Sequence, residues 1–332
     1  PVQKIRVIKP RIGGGFGYTG QRVVVEGFAF SNSLASYDSF NPGRFFTEDA
    51  LAPYTIALDS FDVSYEEANL SALGQPIDFT ANVTTTLRGG QPQQATIKVN
   101  DPLTIGGSQV YLLGNGYAPE LIVRDPEGTV VFSQPTPCLP QDANLFSVCI
   151  LKQPDGLPEQ VGMIGLLYPT AVVLDNGGGA SNYPDLLNPL LNLEVYTGDL
   201  GLDNGVGSNA YTLSTDSLTQ VAGRKSDTAT ISLGIGDTAE LPNGLGSIEL
   251  KAIPRFVSLD VHHDPSQQWV LLFAVLVVGG LVTSLFIPRR RVWVKVVGDT
   301  IEYAGLARGE DPGLVAAITE LADKHSGLKV EP

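Results

Sequence analysis

The chain has 332 residues, of which 43% are hydrophobic and 17% charged, and its 21 Lys/Arg stand against 35 Asp/Glu for a formal net charge of −14. That acidity argues against nucleic acid as a partner, since phosphate would be repelled, and reads first as a solubility device. The charge is unevenly divided: residues 1–268 hold 14 basic against 28 acidic side chains, and residues 289–332 hold 7 of each.

In chain order, Pro1 carries neither an initiator Met nor a signal peptide, so the sequence reads as part of a longer, exported product. Residues 1–20, with Gly13-Gly14-Gly15, read as a joint to missing upstream helices. Short β-branched or alternating runs then predict strands at Val23–Val25, Tyr54–Leu58, Ile77–Leu87, Thr96–Val99, Val110–Leu113, Leu121–Val123 and Val130–Phe132. Further strands are expected at Leu191–Tyr196, Thr228–Leu233, Ser247–Ala252 and Phe256–Val261. Turn pairs such as Asn41-Pro42, Asp101-Pro102 and Asp125-Pro126 separate them. Helical candidates are few: Thr47–Leu51 and Pro184–Leu191. Residues 1–266 therefore read as mainly β, an antiparallel β-sandwich or open barrel.

Trp269 to Ile287 hold no charge, and thirteen of these nineteen residues are Leu, Val, Ile or Phe. Such a run spans a hydrocarbon core of ~30 Å at ~1.5 Å per residue, and inserting it gains about 6 kcal/mol before its polar residues subtract from that. Residues 267–288 are expected to be one transmembrane helix. No Lys or Arg lies between Arg255 and Trp269, while Arg289-Arg290-Arg291 follow the span directly. The positive-inside rule then places residues 1–268 outside the cytoplasm of a plasma membrane and residues 289–332 inside it. Beyond the arginines, Arg291–Val297 alternates strictly, Gly298-Asp299 makes a turn, and Thr300–Tyr303 returns. Asp311 is read as capping a helix with Pro312 at its first position, Leu314, Ile318 and Leu321 along one face, and Gly327 after its end. This small cytoplasmic ββα tail cannot build a core alone.

Catalytic raw material is scarce, and no nucleophile elbow, P-loop, dinucleotide fingerprint or HExxH is present, so an independent enzyme is not expected. Cys138 and Cys149 are placed to form a structural disulfide outside the cytoplasm, with two free buried thiols as the other reading. Asp199, Asp203, Asn204 and Asn209 lack calcium-loop spacing and read as a turn-rich loop, so no metal site is expected. His325 suits a helix C-terminus. His262 and His263, six residues before the span, are the haem-proximal candidates. Adjacent side chains on a strand point opposite ways, so joint ligation of one ion is disfavoured. Ordinary polar residues at a helix entrance are the favoured reading, and ligation of haem iron by one of them the sharper one.

Several segments together resemble the ResB family of cytochrome c-type biogenesis proteins, most nearly its actinobacterial branch. They are Phe16–Gln21 leading into Val23–Gly27, Tyr37–Phe40, Ile97–Leu103, Val110–Tyr117, Val123–Gly128, Tyr196–Leu202, and the apolar span with Arg289–Val294 and Gly305–Asp311. The resemblance implies a four-helix membrane protein whose large external domain lies between its third and fourth helices. It implies work in system II with a multi-spanning ResC (CcsA)-type partner, delivering haem to apocytochrome c within a complex. Haem would be held by that complex, and the resemblance transfers no catalytic residue to this chain. A β-rich envelope scaffold of an unrelated membrane complex is the rival reading.

Overall fold

The computed structural model describes residues 16–69, 71–175, 178–202, 209–286 and 289–327. The described chain is mainly β, its sheets are antiparallel, and it divides into two compact units at Pro265/Ser266. Residues 1–15, including the triple glycine, and the ends of the apolar run and of the tail lie outside the described residues.

Four main sheets make two cores in the first unit. Sheet I runs Ser39–Pro42, Tyr18–Val25, Arg255–His263, Ser108–Tyr117, Leu103–Ile105, and sheet II runs Ala29–Ser31, Tyr54–Tyr65, Pro76–Leu87, Gln93–Lys98. Between them they bury Tyr18, Ile56, Val83, Ile97, Val110 and Val257, all at 1% exposure or less. Sheet III runs Val130–Pro135, Glu120–Arg124, Gly246–Ala252, Thr238–Leu241. Sheet IV runs Leu139–Pro140, Ser147–Gln153, Val161–Tyr168, Leu190–Thr197, Thr219–Ala222, with Ile231–Leu233 also on Leu190–Thr197. Their shared core holds Val123, Met163, Leu191, Leu193, Leu233 and Ile248. Each fully buried aliphatic side chain is worth roughly 1.5–3 kcal/mol over its exposed state.

The second sandwich is an insertion into the first. Ser108–Tyr117 and Arg255–His263 are neighbours in sheet I, yet residues 118–254 lie between them in sequence. The insertion closes on itself where Ala118 N–H donates to Pro254 C=O at 2.9 Å. A clamp of charged groups marks the joint. The Glu26 carboxylate accepts the backbone N–H of Phe61 at 2.7 Å and of Arg255 at 2.9 Å. The Arg255 guanidinium lies over the Tyr117 ring, 4.7 Å from its centre, and donates to Asp185 at 2.9 Å.

Three expectations for the first unit need correction. The joint drawn over residues 1–20 ends earlier, since Tyr18 opens a strand and is 1% exposed. Pro184–Leu191 is not a helix: Pro189 cannot donate inside one, and Asp185 instead turns the chain by accepting the Leu186 N–H at 2.9 Å. Thr47–Leu51 contains only a single 3₁₀ turn, Glu48–Ala50.

The second unit holds helix α1 (Gln267–Phe286), a hairpin of Arg290–Val297 with Thr300–Ala307, and helix α2 (Leu314–Ser326). α1 is apolar and exposed along its whole length, as a membrane-crossing helix would be. The hairpin turns at Gly298, whose φ of 58° suits glycine. α2 starts later than its Asp311 signal. Asp311 accepts the Gly313 N–H at 3.0 Å but is also gripped by Arg290 at 2.6 and 2.9 Å, so Gly313 takes the capping position. His325 stands in the last turn of α2, 2.5 Å from the Tyr303 hydroxyl.

Candidate functional site

The strand Arg255–His263 places both candidate histidines. Along it Val257, Leu259 and Val261 face the first core, while Asp260 and His262 share the other face. His262 and His263 therefore point apart, and one metal ion cannot take both without unmaking the strand.

His263 is on the core side, and its surroundings fix it. Its ring stacks on Tyr18 with centroids 5.3 Å apart and planes 24° from parallel. Its Nδ1 lies 3.0 Å from the Gly107 carbonyl and 3.5 Å from Ser108 Oγ. A carbonyl only accepts, so Nδ1 carries the proton, and in the neutral ring Nε2 keeps the lone pair. A carbonyl holding one imidazole nitrogen is the usual support for a ligating histidine, so His263 fits haem iron in chemistry. His262 fits less well: its Nε2 lies 2.9 Å from an Asp260 oxygen, and its ring meets Tyr111 edge-on at 5.2 Å. The half-buried rings thus each already have protein partners.

Behind His263 lies a buried polar cluster that reading the sequence missed. Asn32 donates to the Tyr18 hydroxyl at 3.0 Å and to Ala52 C=O at 2.8 Å, and accepts from the Tyr37 hydroxyl at 2.5 Å. Tyr18 in turn lies 3.2 Å from Ser108 Oγ. Burial, first, and neighbouring phenols, second, push the Tyr37 and Tyr54 hydroxyls far above the ordinary tyrosine range, so both stay protonated at any working pH. The available signal was the crowding of Phe16, Tyr18, Phe28, Phe30, Tyr37, Phe40, Phe45 and Phe46 into one short stretch.

Cys138 and Cys149 are disulfide-bonded, with Cα atoms 4.2 Å apart, just below the usual lower limit of about 4.4 Å. They join the strands Leu139–Pro140 and Ser147–Gln153 at the floor of the second core. Asp199 and Asn209 use their side-chain oxygens locally, accepting the N–H groups of Gly201 and Tyr211 at 2.8 Å each, while Asp203 and Asn204 lie outside the described residues. Between the two sandwiches opens a cleft of about 630 Å³, bordered by Val23–Val25, Phe28, Glu120, Gln134 and Tyr211.

Several of the segments that carried the family resemblance contribute turns and clamps at the ends of strands. Glu26 of Val23–Gly27 bridges two sheets as described, and Gly27 follows at φ 81°. Asp38 of Tyr37–Phe40 accepts the Val23 N–H at 2.7 Å and pairs with Arg22 at 3.1 Å. Asn100 turns Ile97–Leu103 at φ 64°, and Asp125 closes Val123–Gly128 by accepting the Thr129 N–H at 2.7 Å.

The fold thus defines a membrane-associated protein with a β-sandwich domain ahead of one apolar helix. The profile of the ResB-like family matches residues 8–319, and the chain belongs to that family, which is associated with cytochrome c biogenesis. Comparison with curated proteins finds no match.

Proposed function

We propose that this chain is the ResB subunit of a system II cytochrome c maturation complex, of the actinobacterial branch, with residues 1–268 outside the cytoplasm and residues 289–332 inside. It works beside a ResC (CcsA)-type membrane protein that handles haem, and it positions apocytochrome c for haem attachment. The family match over residues 8–319 carries this reading. The β-domain supports a platform role, because its side chains are spent on turns, clamps and cores, and its cleft is open and mixed in polarity.

Haem is carried by the complex, and the His262–His263 pair serves the fold. The engagement of each ring by Asp260, Tyr18 and Gly107 supports that assignment. If haem were nevertheless passed through this subunit, His263 would hold it through Nε2, and the Gly107 carbonyl would keep that nitrogen basic.

Purification of the tagged chain from native membranes tests the proposal. Haem absorbance together with a multi-spanning partner is the expected result. Recovery with unrelated envelope proteins and without haem would favour the scaffold reading. Topology has its own test: an impermeant thiol reagent added to intact cells should label Glu127→Cys and miss Ser326→Cys.

A further inference from the structure

The C-terminal unit contains a sheet face with a distinctive composition and a short leash. α1 ends at Phe286 and the first hairpin strand begins at Arg290. Four steps of at most ~3.6 Å keep Arg290 within about 14 Å of the end of α1. The two faces of the hairpin then differ. On one, Gly305 is packed under Ile318 and Leu314 of α2, and Tyr303 bonds His325. The register puts Arg291 beside Leu306, Trp293 beside Ala304 and Lys295 beside Glu302 on the opposite face. There Trp293 is 50% and Leu306 57% exposed. Arg290 belongs to the α2 side and is neutralised by Asp311, so Arg291 and Lys295 supply the positive charge of the opposite face, against Glu302, and Arg289 directly precedes the strand.

We infer that this face lies on the surface of the bilayer that α1 enters, and that it reads anionic lipid. Trp293 and Leu306 settle at the boundary between headgroups and acyl chains, where an amphipathic indole is favoured. Arg291 and Lys295 flank them and meet lipid phosphates. Two strands and one short helix cannot close a core, and on the α2 side too Val294 and Val296 stay 48% and 71% exposed, so the hairpin needs another layer. The bilayer is the candidate layer that the covalent leash keeps within reach.

Tryptophan fluorescence tests this in the full chain, because Trp269 and Trp293 are its only tryptophans. The Trp269→Phe variant leaves Trp293 as sole reporter, and a companion Trp293→Phe leaves Trp269 to report on α1. Both are reconstituted in phosphatidylcholine–phosphatidylglycerol vesicles, with and without bromine on the acyl chains. Trp293 should lose much of its emission to brominated lipid and be shielded from aqueous acrylamide. Adding Arg291→Glu and Lys295→Glu, or removing phosphatidylglycerol, should return much of the acrylamide quenching. Indifference of Trp293 to bromine overturns the inference, whether acrylamide reaches it, as in open water, or fails to, as under a protein partner. Failure of bromine to quench Trp269 overturns it as well, since the face depends on α1 being inserted. Charge reversal without effect would remove anionic lipid from the proposal.

Discussion

The two sandwiches solve one problem by different means. In the first, Tyr18, Tyr54, Phe30 and Phe61 line the core, and a hydrogen-bonded cluster of Tyr18, Asn32, Tyr37 and Ser108 runs through it. The second is built from Leu, Val, Ile and Met with Tyr117 at its edge, and is stapled by Cys138–Cys149. Directional hydrogen bonds permit few arrangements of a core, because every buried donor and acceptor left alone costs free energy. Aliphatic contacts are less selective, and a covalent link limits the alternatives by restricting the unfolded chain instead. The first core is therefore specified by polar matching and the second by connectivity.

Cavities give the largest expected effect and set the scale of the comparison. Ile56→Ala in the first core and Leu193→Ala in the second should each cost about 2–5 kcal/mol, because both side chains are essentially buried. Thermal or denaturant unfolding reads the loss. Hydrogen exchange shows whether it stays in one sandwich; full spreading of either loss would mean that the Glu26–Arg255 joint makes them one cooperative unit.

Removing the staple should come next. Cys138→Ala with Cys149→Ala is expected to cost about 3 kcal/mol in the chain-entropy model for so short a loop. Exchange should accelerate in Ser147–Gln153 and Val161–Tyr168 and leave Tyr54–Tyr65 as it was. Equal acceleration in both sandwiches would break the contrast drawn here.

The phenols give a smaller effect with a defined direction. Tyr37→Phe removes the hydroxyl that donates to Asn32 and should cost about 1–2 kcal/mol. Because burial raises the folded-state values of Tyr37 and Tyr54 above 10.0, their contribution is complete below about pH 10 and is lost as pH rises beyond it, where only the unfolded chain releases the proton. Tyr117 in the second core is pushed up by burial in the same way, so rising pH should weaken both sandwiches. Tyr37→Phe should remove part of that alkaline loss from the first sandwich alone, as read by exchange; an equal change in the second would count against the polar cluster as a local determinant.

The least effect is expected from His262→Ala with His263→Ala. Loss of the Tyr18 stack and the Gly107 bond should cost about 1 kcal/mol of stability. Covalent c-type haem in membranes should stay near wild type. Collapse of haem staining at normal protein abundance would instead put the pair on the haem path, and rescue by added imidazole would identify a ligand.

Local pattern made part of this fold legible. The alternation in Tyr54–Leu58 and Phe256–Val261, the uncharged run at α1 and the Gly298-Asp299 turn all lead to the elements observed. Val161–Tyr168 was hidden because Gly162 and Gly165 resemble turn signals, whereas in the structure they leave room for neighbours. A Cβ at Gly162 would meet Leu213 at 2.8 Å, and one at Gly165 would meet Leu191 at 3.1 Å. The nesting of one sandwich in the other depends on pairs such as Glu120 with Ala252 and Tyr18 with His263, which no local window contains. At the candidate site the opposed directions of the histidines follow from strand geometry. The partners of His263 (Gly107, Ser108 and Tyr18) come from distant segments, and only the fold brings them together.

The nested connectivity also bears on how the chain is made. Tyr18–Val25 lies against Arg255–His263, so the opening strand of the domain finds its main partner only when the closing strand has been synthesised. Residues 118–254 can close on themselves first, through Glu120–Arg124 with Gly246–Ala252. The inner sandwich can thus fold while the outer one waits with an unpaired edge. Contacts of such long sequence separation fold slowly, and a waiting edge invites wrong pairing. The last strand to arrive is followed within a few residues by α1, so completion of the outer sandwich falls close to the synthesis of the apolar helix.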